Sequence, residues 1–311
     1  MSSRLVPRHQ ISASQPFFVA SWILCGIALI LLIGRCYAAW KLLGRQRADL
    51  YLAIATFVVG LASMVVLTLG TVQGLGQRMS NLAPRQAYLA IMYGWINLAL
   101  ALIAIGLGKI AVVVFIIRIQ GYSVYDPWRS VFLWFLAGTT MVVNTIEVVL
   151  FFTQCWPIQK LFDISRKGVC PGTIIVVRFG IFQTSWSGFC DFTLALYPAV
   201  LFWNVHALSR LKRLGISILF GLGVTAAILA ALKGWKIPLI LNTGDATYEL
   251  AEIIVWHQTE MWIVLIVGCL APTMPLFRVL AQKASGLFHV FRARLKSHLH
   301  SSNTETGQDV C

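Results

Sequence analysis

The sequence predicts an all-α, polytopic membrane protein with seven transmembrane helices, an outside amino terminus and a cytoplasmic carboxyl terminus. Three observations carry that expectation. Of 311 residues, 58% are hydrophobic and only 12% charged, which is too apolar for an ordinary soluble domain. Seven stretches each supply the roughly 20 apolar residues needed to cross a bilayer core about 30 Å thick. Threaded through seven spans, the cations fall more heavily in the segments that alternate toward the carboxyl-terminal side, and that excess marks the cytoplasmic face.

The first stretch, 17–40, lacks a clear small-residue cleavage site and is long enough to span, so it reads as a helix rather than a signal peptide. The second covers 50–72. The third, 87–118, holds Lys109 in its interior and ends at Arg118. The fourth, 128–152, carries Glu147. The fifth, 173–203, carries Arg178, Asp191 and Pro198, and the sixth covers 214–235 with Lys233 and Lys236 at its boundary. The seventh, 250–280, carries Glu252, His257, Glu260, Pro272 and Pro275 but no lysine. Its prolines, like Pro198, remove backbone donors and should bend their helices.

These boundaries divide the chain into a short extracellular or lumenal head, 1–16, a transmembrane domain, 17–280, and a cytoplasmic segment, 281–311. Within the last, Leu287, Val290, Phe291 and Leu295 recur at helical spacing among arginines and lysines. That pattern fits an amphipathic helix lying on anionic inner-leaflet lipid. The net charge of +14 therefore belongs to orientation, to membrane lipid and to a cytoplasmic partner at the basic inner loops, and no nucleic acid is expected.

Ionisable side chains inside a span are costly unless paired or hydrated, so each is a functional candidate. Lys109 lies about 13 Å from the inner end of its helix and Asp191 about 18 Å from the end of its own, at roughly 1.5 Å per residue. Those depths allow an interhelical ion pair, which would be either a structural tie or part of the chemistry. Arg178 is about 20 Å from Asp191 along the same helix and is expected to snorkel to the interface. Glu147 and Glu260 fall in the outer half of the membrane. Glu252, Trp256 and Glu260 share a face at i, i+4 and i+8, with His257 beside it. Trp256, His257 and Glu252 are thus candidates for an outward-opening ligand pocket, and Asp191, Glu260 and Glu147 are the acids to test for catalysis. Glu260 serves equally well as a helix-to-helix hydrogen bond.

The long connection 153–172 contains Cys155 and Cys170, which either bridge in an oxidising exterior or remain free thiols at the boundary. Cys25, Cys36, Cys190 and Cys269 lie in apolar spans and read as packing residues. No His, Cys or Asp cluster has metal-ligand spacing, and neither a phosphate loop nor a nucleophile elbow is present. No metal and no cofactor is expected.

Several segments together resemble the fungal rhodopsin-like seven-helix integral membrane family. Gly108-Lys109-Ile110-Ala111 leading to Phe115 and Arg118 is similar to the end of its third helix. Gln154-Cys155-Trp156-Pro157 through Phe162-Asp163 and Cys170 resembles its long loop. Asp191 through Pro198 to Trp203 looks like its fifth helix, and Glu260 followed by Gly268-Cys269-Leu270-Ala271-Pro272-Thr273-Met274-Pro275 looks like its seventh. The resemblance covers roughly residues 20–280. It implies a Cys155–Cys170 disulfide and Lys109, Asp191 and Glu260 as shared intramembrane polar positions. The family includes receptor-like surface proteins and proteins encoded in secondary-metabolite clusters. Two departures stand out: a Trp-Asp-Asp run after the first helix is reduced to Asp49 within Gln46-Arg47-Ala48-Asp49-Leu50, and the arginine before the last proline is replaced by Met274.

The functional expectation is a non-retinal membrane protein, in the plasma membrane or endoplasmic reticulum, serving a secondary-metabolite pathway. A retinal Schiff base is disfavoured because the seventh span has no lysine. The alternatives are a receptor-like sensor of extracellular or lipophilic ligands and an acid-catalysed cyclase or isomerase acting on a lipophilic intermediate. In the latter, Trp256 and Trp262 would stabilise cations. A short head and tail weigh against a receptor, and no Asp-Arg-Tyr or Asn-Pro-x-x-Tyr motif supports G-protein coupling. Transport is third, since no inverted repeat is evident.

Overall fold

The apolar stretches become helices because a chain in hydrocarbon must satisfy its backbone internally. The computed structural model describes residues 15–42, 48–120, 127–163, 166–202, 217, 221, 223–225, 227–228, 230–235, 247–270 and 272–273. Among these the helices are α1 (Gln15–Tyr37, prolonged by a π-helical turn, Ala38–Leu42), α2 (Ala48–Val72), α3 (Pro84–Gln120), α4 (Pro127–Thr153), α5 (Thr173–Phe202), α6 (Gly223–Trp235) and α7 (Thr247–Leu270). Five, built from α1, α2, α3, α4 and α7, are long and apolar enough to cross a bilayer. No β-strand occurs among the described residues, only an isolated bridge between Trp156 and Val169. The expected surface helix in 281–311, the head up to residue 14 and the Pro275 bend lie outside the described residues.

α3 and α7 form the axis of the bundle. In each, 61% of the apolar window is buried, against 28% for α1 and 33% for α4. The outer helices turn Ile23, Ile30 and Ile33 of α1, and Val131, Phe135 and Val142 of α4, away from the protein. Such apolar faces suit lipid contact. At 37 residues, α3 is about 55 Å long and outreaches a hydrocarbon core of about 30 Å.

Two apolar clusters hold the bundle. The larger joins α1, α2, α3 and α7, with Leu98, Leu102, Ile105, Met261 and Trp262 almost fully buried. The smaller joins α3, α4 and α5 through Val113, Leu133, Leu136 and Cys190. Trp262 packs 5.9 Å from the Phe57 ring and against Gly60 of α2, so it is a core side chain. α5 and α6 meet through small residues. A Cβ on Gly223 would stand 2.0 Å from Cβ of Ala195, and one on Gly188 would stand 2.8 Å from Cβ of Ala230. Small residues at such a contact let two helix backbones approach closely.

The connection from α4 to α5 folds back as a tight hairpin. Trp156 and Val169 exchange backbone hydrogen bonds of 2.9 and 3.1 Å, and Gly172 N–H donates to Gln154 O at 3.1 Å. A Cβ on Gly172 would approach Cα of Gln154 to 2.7 Å, so the return strand passes too close for any other residue. Cys155 and Cys170 are joined by a disulfide across this hairpin.

Candidate functional site

Polar side chains are concentrated at three levels along the bundle. At the end away from the hairpin, Asp49 receives two guanidinium groups. Arg35 donates to its Oδ2 at 2.8 Å and Arg118 to its Oδ1 at 2.6 Å. Arg35 also donates to Gly268 O at 2.9 Å, and both arginines lie about 6 Å from the Phe115 ring. α1, α2 and α3 thus converge on one carboxylate, and α7 is tied to it through Arg35. The single acid retained after the first span has this role. Arg35 escaped the sequence reading, although its place in the last turn of α1, one short connection before Asp49, was the available signal.

At mid-bundle, Lys109 of α3 and Asp191 of α5 are 3.0 Å apart. Lys109 Nζ also donates to Ser187 O and Oγ at 2.9 and 2.7 Å. Ser187 Oγ in turn donates to Glu260 Oε1 of α7. Glu260 Oε2 accepts from Lys233 Nζ of α6 at 2.8 Å. Two cations, two carboxylates and one hydroxyl form a continuous, formally neutral chain across four helices, and every member is at least nine-tenths buried. Lys233, expected at a helix boundary, is 1% exposed. The close α5–α6 contact draws its helix inward, and a long lysine stem reaches from a helix end to a buried partner. A further polar tie joins Ser63, Asn97 and Gln258, linking α2, α3 and α7.

At the hairpin end the bundle forms a half-open cavity of about 330 Å³, within the range of small-molecule sites. Its walls come from α3, α4, α5 and α7, and the hairpin contributes Cys155, Lys160, Leu161 and Cys170. Apolar groups dominate, among them Leu98, Val176 and Leu250, with Trp95 and Phe151 packed ring to ring at 5.0 Å. Glu147, His257, Gln154, Lys160 and Thr173 are the polar exceptions, and of these Glu147 and His257 are 3% and 2% exposed. Glu147 Oε2 and His257 Nε2 have no hydrogen-bond partner among the described residues. The other imidazole nitrogen, Nδ1, is 3.0 Å from Ile253 O.

The candidate residues are thereby distributed. Glu147 and His257 share the cavity. Asp191 and Glu260 are engaged in the mid-bundle chain, and Glu252 and Trp256, both half-buried, are not among the walls of this cavity. Arg178 is exposed. The face that points inward on α7 runs through Leu250, Ile254, His257, Glu260 and Val264, rather than through Glu252, Trp256 and Glu260. Positions eight apart are rotated by about 80°, whereas positions seven apart differ by only about 20°. No group of three or more His, Cys, Asp or Glu side chains suited to a metal occurs among the described residues.

Comparison with known proteins fits this architecture. A biosynthesis cluster protein 2 of the fugralins from Gibberella zeae is 27% identical over 148 residues, covering 48% of this chain and 35% of that protein. The wortmanamides biosynthesis cluster protein C from Talaromyces wortmannii is 24% identical over 158 residues, covering 51% of this chain and 41% of that protein. The chain thus matches well under half the length of either relative. No solved structure matches significantly. The fungal rhodopsin domain profile matches residues 34–279, a span that contains the Asp49 clamp, the mid-bundle ion chain and the whole cavity. The chain therefore belongs to the fungal rhodopsin domain family.

Proposed function

We propose that this chain is a seven-span membrane protein whose cavity holds a lipophilic small molecule belonging to a secondary-metabolite pathway. The observation that carries the proposal is the roughly 330 Å³ apolar cavity with Glu147 and His257 buried in its wall and each bearing an unpartnered polar atom. Buried polar atoms are normally hydrogen-bonded, so an apolar cavity with two open ones is suited to a ligand that supplies the missing contact. The relatives named for the biosynthesis of fugralins and wortmanamides support the pathway assignment. In this reading α5 and α6 are the two further spans. The bridged hairpin faces the oxidising side, outside the cell or in the endoplasmic reticulum lumen, which puts the amino terminus on that side and the carboxyl terminus in the cytoplasm. The head, 1–16, and the basic segment, 281–311, flank the transmembrane domain, with lipid and a cytoplasmic partner meeting the basic inner side. The protein works without retinal: α7 has no lysine, and the buried amines of Lys109 and Lys233 are each held by a carboxylate.

The test is genetic. Deleting the gene in the producing fungus should change the profile of one lipophilic metabolite family, and wild type should restore it. Leu98→Trp, which fills the cavity and leaves the ion chain intact, should not. An unchanged profile after deletion, or full rescue by Leu98→Trp, defeats the proposal.

A second reading, an acid-catalysed cyclase or isomerase, draws on the same wall. Glu147 would protonate an alkene or epoxide, and the adjacent Trp95 and Phe151 rings would stabilise the cation. Under it, Glu147→Gln abolishes product while ligand retention persists.

A further inference from the structure

One polar atom in the cavity wall is an acceptor whose partner the described residues do not supply. His257 Nδ1 lies against Ile253 O, and a carbonyl oxygen only accepts, so Nδ1 carries the ring proton. In the neutral imidazole this leaves Nε2 as a lone-pair acceptor, buried and unpartnered. Glu147 Oε2 is also buried without a partner among the described residues, but a carboxyl group accepts when ionised and donates when protonated, so His257 Nε2 is the atom whose role is fixed. Two donors in the same wall are already committed. Gln154 Nε2 donates to Phe151 O at 2.9 Å, and Thr173 Oγ1 donates to Cys170 O at 3.1 Å. Lys160, at the hairpin side, has an interaction of its own.

The mid-bundle lysines are matched to Asp191 and Glu260. Other donors line the wall, but none is hydrogen-bonded to His257 Nε2. From this open acceptor we infer that the cavity selects apolar molecules that carry a hydrogen-bond donor, a hydroxyl or an amine, which docks on His257 Nε2. The inference rests on the cavity reading above and names the ligand class within it. A ligand whose only polar group is an ether, ester or carboxylate would bring only acceptors and leave His257 Nε2 unpaired, an arrangement that a site built to bond a donor rejects strongly.

Full-length protein in lipid nanodiscs is titrated with dodecanol, dodecyl methyl ether, dodecane and dodecanoate. Binding is read from the tryptophan fluorescence that Trp95→Phe removes. Dodecanol should bind about tenfold or more tightly than the ether or the alkane, the scale set by one unsatisfied buried acceptor. His257→Phe and His257→Leu should each shrink that preference toward unity while dodecane binding persists, so either variant suffices if the other does not fold. Equal binding of alcohol, ether and alkane overturns the donor inference and leaves the cavity reading standing. Tighter binding of dodecanoate than of dodecanol also overturns it, because Lys160 would then be the recognition group. Failure of every probe, with Leu98→Trp indistinguishable from wild type, overturns the cavity reading itself.

Discussion

The mid-bundle ion chain and the cavity wall are buried to the same degree and lie a single turn apart on α7, where Glu260 belongs to one and His257 to the other. They differ in satisfaction. In the ion chain each carboxylate meets a lysine at 3.0 Å or closer and Ser187 joins the two pairs, although Asp191 Oδ2 is left without a hydrogen-bond partner among the described residues. In the cavity wall Glu147 and His257 each keep an open polar atom. Burial alone therefore does not separate structural from functional polar groups in this bundle. What separates them is whether a side chain of a neighbouring helix supplies a partner: Asp191 and Glu260 each have a lysine, and the open atoms of Glu147 and His257 have none among the described residues. A satisfied network fixes helix positions, and an unsatisfied one stores the capacity to recognise something that arrives.

The largest effect should come from breaking the satisfied side. Glu260→Ala leaves Lys233 buried without its carboxylate and should cost about 3–5 kcal/mol, measured by denaturant unfolding in detergent. The paired replacement Lys233→Met with Glu260→Met should recover most of that loss, and a double variant as unstable as Glu260→Ala would contradict the ion-pair account. Next is the hairpin over the cavity. Replacing Cys155 and Cys170 together by serine opens a loop of separation 15 and should cost about 3 kcal/mol, seen as faster proteolysis within 154–172. Third, Glu147→Met should be neutral or stabilising by about 1–3 kcal/mol, since it removes an unsatisfied buried polar atom. A loss as large as that of Glu260→Ala would erase the contrast between the two regions. The smallest change is expected at Arg118, which is 36% exposed. Arg118→Met should cost under about 1 kcal/mol, because Arg35 still holds Asp49.

Much of the mid-bundle was legible from spacing. Lys109 and Asp191 lie at similar depths from helix ends, and depth follows from residue count in a membrane helix. Glu260 was recognisable as a buried acid, but its partner was not. Lys233 sits near the end of an apolar stretch, where sequence favours the interface, and only the Gly188, Ala195, Gly223 and Ala230 contact brings its helix close enough to α5 and α7. The cavity was the least legible region. It is a void shared by four helices, so no single periodicity announces it, and a helix rotation of a few tens of degrees decides whether Trp256 or His257 faces in. Trp95 and Gln154 carry no local signal of their wall positions. The hairpin cysteines, in contrast, stood out because only two of them occupy the one long connection.

The Arg35 clamp also bears on how the protein is made. Arg35 is synthesised early, yet its Gly268 acceptor lies 233 residues further along the chain. Until α7 is in place, the guanidinium in α1 lacks one of its hydrogen bonds. Products truncated before residue 268 would therefore leave Arg35 joined to Asp49 alone, so the clamp is completed only when the last described helix docks.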